Sequence, residues 1–164
     1  MSDVEARFAV LRRSADPDVV AAMEALVRDG KDHQLARINA LDFARKHDLD
    51  EQKVIGAFLH ASRLGLFDLS WNVLCPGCGG VLGANETLKT IKQEQYSCAL
   101  CAAGYEPTLD EMVEVTFTVV PRVRRIAAHH PHSLPIPEYY RQVFWSSGID
   151  LPVITAGNIQ VHNG

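Results

Sequence analysis

Leu66-Phe67-Asp68-Leu69-Ser70-Trp71-Asn72-Val73-Leu74 runs directly into Cys75-Pro76-Gly77-Cys78-Gly79-Gly80, and the fold turns on that junction. The first nine residues alternate: Phe67, Leu69, Trp71 and Val73 on one face, Leu66, Asp68, Ser70, Asn72 and Leu74 on the other. Both faces carry apolar groups, which predicts a strand with some burial on each side. Cys75 and Cys78 then stand three residues apart, the spacing at which a C-x2-C turn aims two thiolates at one metal ion. Cys98-Ala99-Leu100-Cys101 repeats the device, giving C-x2-C-x19-C-x2-C, the paired-knuckle spacing of a zinc site. Gly77, Gly79 and Gly80 suit the tight first knuckle, and Gly104 is placed to serve the second in the same way.

The reading is therefore one structural Zn2+ per chain, held by Cys75, Cys78, Cys98 and Cys101 in a zinc ribbon. Four thiolates close the coordination sphere and leave no position for water or substrate, so the site stabilises a shape and catalyses nothing. A redox role for a lone CPGC needs a βαβ setting with the first cysteine at a helix N-terminus. Here the motif follows a strand and precedes glycines, and a second C-x2-C accompanies it.

Upstream, the chain reads as helices. Asp16-Pro17 is a start signal, Val19, Val20, Met23, Leu26 and Val27 recur at helical spacing, and Gly30 is a stop. A second helix is expected over about 34–46, with Leu35, Ile38, Leu41 and Phe43 facing inward. Asp50 caps a third helix, with Val54, Ile55, Phe58 and Leu59 as its apolar face, ending at Gly65. His60 sits beside those core positions and is expected to be a packed, satisfied histidine. Three helices followed by a strand resemble a winged-helix arrangement.

Downstream, residues 79–97 read as a mostly polar connection. Val113, Val115, Phe117 and Val119 alternate with Glu114, Thr116 and Thr118, predicting a half-buried strand that continues the ribbon sheet. Prolines at 121, 131, 135 and 137 make the following stretch irregular, and His129, His130 and His132 within it are expected to form a packing or solvated loop. A short helix or turn carries Tyr139, Tyr140, Val143, Phe144 and Trp145, with weak strands expected around Val153-Ile154 and Ile159-Val161. Glu106, Asp110, Glu111 and Glu114 read as a solvated acidic surface. The fold class is α+β: a helical, winged-helix-like subdomain over 1–74, the ribbon and following strand over 75–126, and a β-rich C-terminal part over 127–164.

The chain has 164 residues and a net charge of −4, and its only basic cluster is Arg122, Arg124 and Arg125, which speaks against nucleic acid as a partner. No apolar run is long enough to span a bilayer, and the first residues lack the apolar core of a secretory signal. A cytoplasmic protein is expected, with its thiols reduced and free to bind metal.

LDFARKHDLDEQKVIGAFLHASRLGLFDLSWNVLCPGCGG, CALC and VEVTFTVVPRVRRI together resemble an uncharacterised domain that precedes the catalytic domain in many bacterial class III adenylate/guanylate cyclases. The resemblance covers about residues 34–155. It implies a zinc ribbon on the same four cysteines and a protein partner or covalently linked cyclase domain, and a homo-oligomer is compatible with it. Nothing here matches the metal-binding aspartates or nucleotide-recognition residues of a cyclase, so the chain is expected to be a non-enzymatic regulatory or protein-interaction module. The alternative from a different class is a nucleic-acid-binding winged-helix and zinc-ribbon protein.

Overall fold

A computed structural model describes residues 1–85, 96–98, 100–105 and 113–144. Its first element lies where the sequence reading placed none. Ser2 Oγ accepts from the Glu5 amide at 3.1 Å, and the Glu5 carboxylate accepts from the Ser2 amide at 2.7 Å. This reciprocal cap starts α1 (Asp3–Ser14), which buries Phe8 and Leu11. Helix α2 (Pro17–Asp29) begins as expected, with Asp16 capping the Asp18 and Val19 amides and Val19, Val20 and Met23 fully buried.

The helix expected over about 34–46 is corrected. A 3-10 turn, Asp32–Gln34, is followed by Arg37 at φ +49°, a left-handed conformation that no helix continues through. Ile38–Asn39 form a short strand, β1, and α3 (Ala40–His47) begins only where Asn39 Oδ1 accepts from the Leu41 and Asp42 amides. Leu35, Ile38 and Phe43 are all buried, but Leu41 is 44% exposed. Asp48 turns the chain at φ +52°, and Asp50 caps α4 (Glu51–Arg63) through the Lys53 amide at 2.9 Å. Val54 and Phe58 of its expected apolar face are buried, whereas Ile55 and Leu59 point outward. His60 is also exposed, contrary to the expectation of a packed histidine.

Five further strands follow: β2 (Phe67–Leu74), β3 (Val81–Asn85), β4 (Tyr96–Cys98), β5 (Ala103–Tyr105) and β6 (Val113–Val119). β3 arises inside the stretch read as a polar connection. The main sheet is antiparallel in the order β1-β6-β2-β3, and β4 and β5 pair separately. The strand over 113–119 therefore shares a sheet with the first cysteine hairpin and not with the second. Its register, Phe67 opposite Val119 and Leu69 opposite Phe117, sets one apolar face against the helices. There the Phe58 ring meets Phe43, Phe67 and Phe117 at centroid distances of 5.2, 5.4 and 5.0 Å.

The other face of β6 is not solvated as a half-buried strand would be. Thr116 is fully buried, because its Oγ1 accepts from Asn72 Nδ2 at 2.7 Å in a covered polar layer. After β6 the chain is irregular, as its prolines predict: 3-10 turns at Ala127–His129 and Pro131–Ser133, a short helix Ile136–Tyr139, and a π-helical turn Tyr140–Phe144. His129 braces this stretch, its Nδ1 accepting from the Ile126 amide at 3.1 Å and its Nε2 lying 2.6 Å from the Val119 carbonyl oxygen. The expected strands near 153–154 and 159–161, Trp145, and Glu106, Asp110 and Glu111 lie outside the described residues. Among the described residues no helix is long and apolar enough to cross a membrane.

Candidate metal centre

The first C-x2-C is the connection of the β2–β3 hairpin, where Leu74 pairs with Val81 across a bulge. The Gly79 amide donates to the Cys75 carbonyl at 2.7 Å, and the Cys75 amide donates to the Gly80 carbonyl at 2.8 Å. These bonds wind the backbone round the sulfurs and require Gly79 at φ +72°. The second C-x2-C turns between β4 and β5. There the left-handed position belongs to Ala102, at φ +51°, and not to Gly104, which lies in β5 opposite Ser97.

The two knuckles bring all four Sγ atoms within 4.8 Å of one another. Cys75 Sγ lies 3.7 Å from Cys101 Sγ, and Cys78 Sγ lies 3.8 Å from Cys98 Sγ. A tetrahedron with metal–sulfur bonds of about 2.3 Å has edges of about 3.8 Å, whereas a disulfide needs about 2.05 Å. The spacing is therefore that of a metal cage, and no disulfide joins any of the four cysteines. Cys75 and Cys98 are buried, Cys78 is half-buried and Cys101 is exposed, so the cage opens at the surface. Without a cation this crowd of sulfurs resists ionisation. Burial pushes the Cys78 thiol up to about 12, and hydrogen bonding to Cys75 raises that of Cys101. A divalent ion reverses that balance by stabilising the thiolates. Four soft sulfur donors gathered within 4.8 Å of one another fit zinc. Among the described residues no other group of histidines, cysteines and carboxylates gathers round one point, so His129, His130 and His132 form no second cluster.

Packing against the cage explains a glycine that the sequence reading assigned to turn geometry alone. A Cβ on Gly80 would stand 1.9 Å from Phe144 Cε1, so the aromatic ring lies directly on the first knuckle. A Cβ on Gly83 would stand 3.0 Å from Tyr96 Cε1, so the two hairpins also touch.

Two further surfaces escaped the sequence reading. On the helical side of the sheet, beyond the core, Leu41, Ile55, Leu59, Leu69, Trp71 and Val115 line an apolar groove of about 450 Å3. On the opposite side, Arg37 Nη1 and Ser70 Oγ both donate to Asn72 Oδ1 at 2.8 Å, the Arg37 amide donates to Thr118 Oγ1 at 3.0 Å, and Asn39 Nδ2 donates to Glu114 Oε1 at 2.7 Å. The signal for this layer was the polar alternation Ser70, Asn72 and Thr116, Thr118, which also suits solvent-facing positions. Glu114 is accordingly half-buried and bonded instead of lying on a solvated acidic surface.

The model of a family of unknown function, DUF5939, matches residues 1–160, and the chain belongs to that family. No curated protein and no solved structure matches it.

Proposed function

We propose that this member of the DUF5939 family is a non-catalytic, zinc-stabilised regulatory or protein-interaction module of a bacterial adenylate/guanylate cyclase-type signalling protein. The observation that carries the non-catalytic half is the cage itself, four sulfurs within 4.8 Å of one another, a set of donors that would saturate a single ion. Such an ion holds a shape and has no vacancy at which to activate water. The cyclase half rests on the sequence resemblance. It makes the partner a protein, either covalently linked or a separate chain.

In this reading the cysteine hairpins are a zinc ribbon inserted into a winged helix. The order α2, β1, α3, α4, β2, β6, with β6 between β1 and β2, supports it, and the hairpins then occupy the place of the wing. That topology also favours the competing reading, since α4 would be the recognition helix of a nucleic-acid-binding protein. The surface chemistry of α4 favours protein. Ile55 and Leu59 face outward at 38% and 44% exposure over the apolar groove, and Lys53 is engaged by Asp16 at 2.9 Å. An apolar groove suits a protein surface, whereas a phosphate backbone requires free cations.

The test is cyclase activity of the full-length signalling protein, compared with the same protein lacking this region and with its Cys75→Ser variant. A changed rate or oligomeric state in both variants is expected. Unchanged behaviour in both would end the regulatory reading, and salt-sensitive, sub-micromolar duplex binding would promote its competitor.

A further inference from the structure

Beneath the segment 136–144, against the polar face of the sheet, lies a cavity of about 150 Å3. Its apolar walls are Ala36, Ala128 and Val143, and four polar side chains line it: Arg37, Ser70, Thr118 and Gln142. Gln142 is only 6% exposed. Its Nε2 donates to Glu138 Oε2 at 2.8 Å, which fixes the orientation of the amide and leaves Oε1 buried with no hydrogen-bond partner. A buried polar atom of this kind asks for an unseen donor.

The other three side chains define what that donor belongs to. Arg37 uses Nη1 on Asn72 and has further N–H groups to give. No described carboxylate forms an ion pair with it; Glu114, the carboxylate whose charge acts on it most, accepts from Asn39 with Oε1 only and does not line the cavity. Thr118 Oγ1 accepts from the Arg37 amide, so its hydroxyl proton is free to donate. Ser70 donates to Asn72, so its oxygen is free to accept. The cavity thus offers two donors, Arg37 and Thr118, and two acceptors, Gln142 Oε1 and Ser70 Oγ. Its volume of about 150 Å3 equals that of about five waters, which suits a molecule of about that many heavy atoms.

We propose that this cavity is a binding site for a small carboxylate bearing an α-hydroxyl or α-amino group, the carboxylate on Arg37 and Thr118 and the α-substituent on Gln142 and Ser70. Its occupant ties the segment 136–144 to the sheet, and Phe144, two residues beyond Gln142, rests on the first knuckle at Gly80. Ligand site and metal cage therefore meet on one element. That this occupancy regulates a partner rests on the reading above; the binding itself does not.

The test is calorimetric titration of the intact, zinc-loaded chain with glycine, with glycolate and with acetate, which lacks the α-donor. At least one of glycine and glycolate should bind saturably at one site, about tenfold or more tighter than acetate, the loss expected for one missing hydrogen bond to a buried group. Thr118→Val and Gln142→Leu should each weaken binding by about tenfold or more. Gln142→Leu should leave the thermal midpoint unchanged or raised, whereas Thr118→Val should lower it modestly, because it also removes the acceptor of the Arg37 amide. Thr118→Val alone decides the matter if Gln142→Leu fails to fold. No saturable binding of either probe, acetate binding equally well, or binding indifferent to the variants would overturn the proposal. A cyclase indifferent to this region would sink the regulatory reading and leave the titration standing.

Discussion

At the scale of single residues, the cage depends on contacts that its four cysteines do not make. Gly80 has a glycine's place because the Phe144 ring occupies the space of a side chain, 1.9 Å from where a Cβ would stand. Gly80→Ala should therefore destabilise the protein by about 1–3 kcal/mol, and should cost much less in a Phe144→Ala background. A denaturant-unfolding double-mutant cycle reads this as a coupling of about 1 kcal/mol or more; additive effects would show that the contact carries nothing. The thiols make a second prediction. Cys78 is raised by burial from an ordinary 9.0 to about 12. In the metal-free fold, the stability contributed by its protonated form is fully present below 9.0 and is lost as pH rises towards about 12. The zinc form already holds thiolates and has no such loss, while acid returns the protons and releases the ion. Thermal unfolding of both forms should thus diverge as pH climbs from about 9 towards about 12. Parallel curves would contradict the shift.

At the scale of elements, those built from local signals were legible and those built from distant pairing were not. Asp16-Pro17 and Asp50 announce α2 and α4 because a cap needs only the next few amides. The alternation over 67–74 announces β2 for a similar reason. Ile38, by contrast, stands at helical spacing from Leu35, and only its pairing with Phe117, on the far side of the cysteine segment, draws it into a strand. The Ser2–Glu5 cap of α1 was legible in principle, since Ser-x-x-Glu stands there ahead of Phe8 and Leu11. The four cysteines could be grouped from spacing alone, but the polar cavity could not. Arg37, Ser70, Thr118 and Gln142 come from four separate stretches and share no motif. Between helices and sheet, Phe58 is the common contact of three other rings and is fully buried. Phe58→Ala should cost about 3–5 kcal/mol, seen as a lowered denaturant midpoint with unchanged slope. A loss under about 1 kcal/mol would mean that the rings repack without it.

At the scale of the molecule, the hydrophobic core and the cage are neighbours without being one body of contacts. The core runs from Phe8 to Ile126 and includes none of the four cysteines. Removing the metal from reduced protein should therefore make the two cysteine hairpins open more often, without dissolving the closed state that buries Cys78, and should spare the helices. By hydrogen exchange, amides of the cysteine hairpins should lose protection while those of α4 and of β2 at Phe67–Asn72 keep it. Global loss of protection would mean that the metal organises the whole fold. All of this rests on the cage holding zinc, and the direct measurement is the metal content of the purified, reduced protein beside its Cys78→Ser variant. Near one zinc per chain in the first and almost none in the second is the predicted result. Iron in that site, or a stably folded reduced protein that takes up no metal, would contradict it.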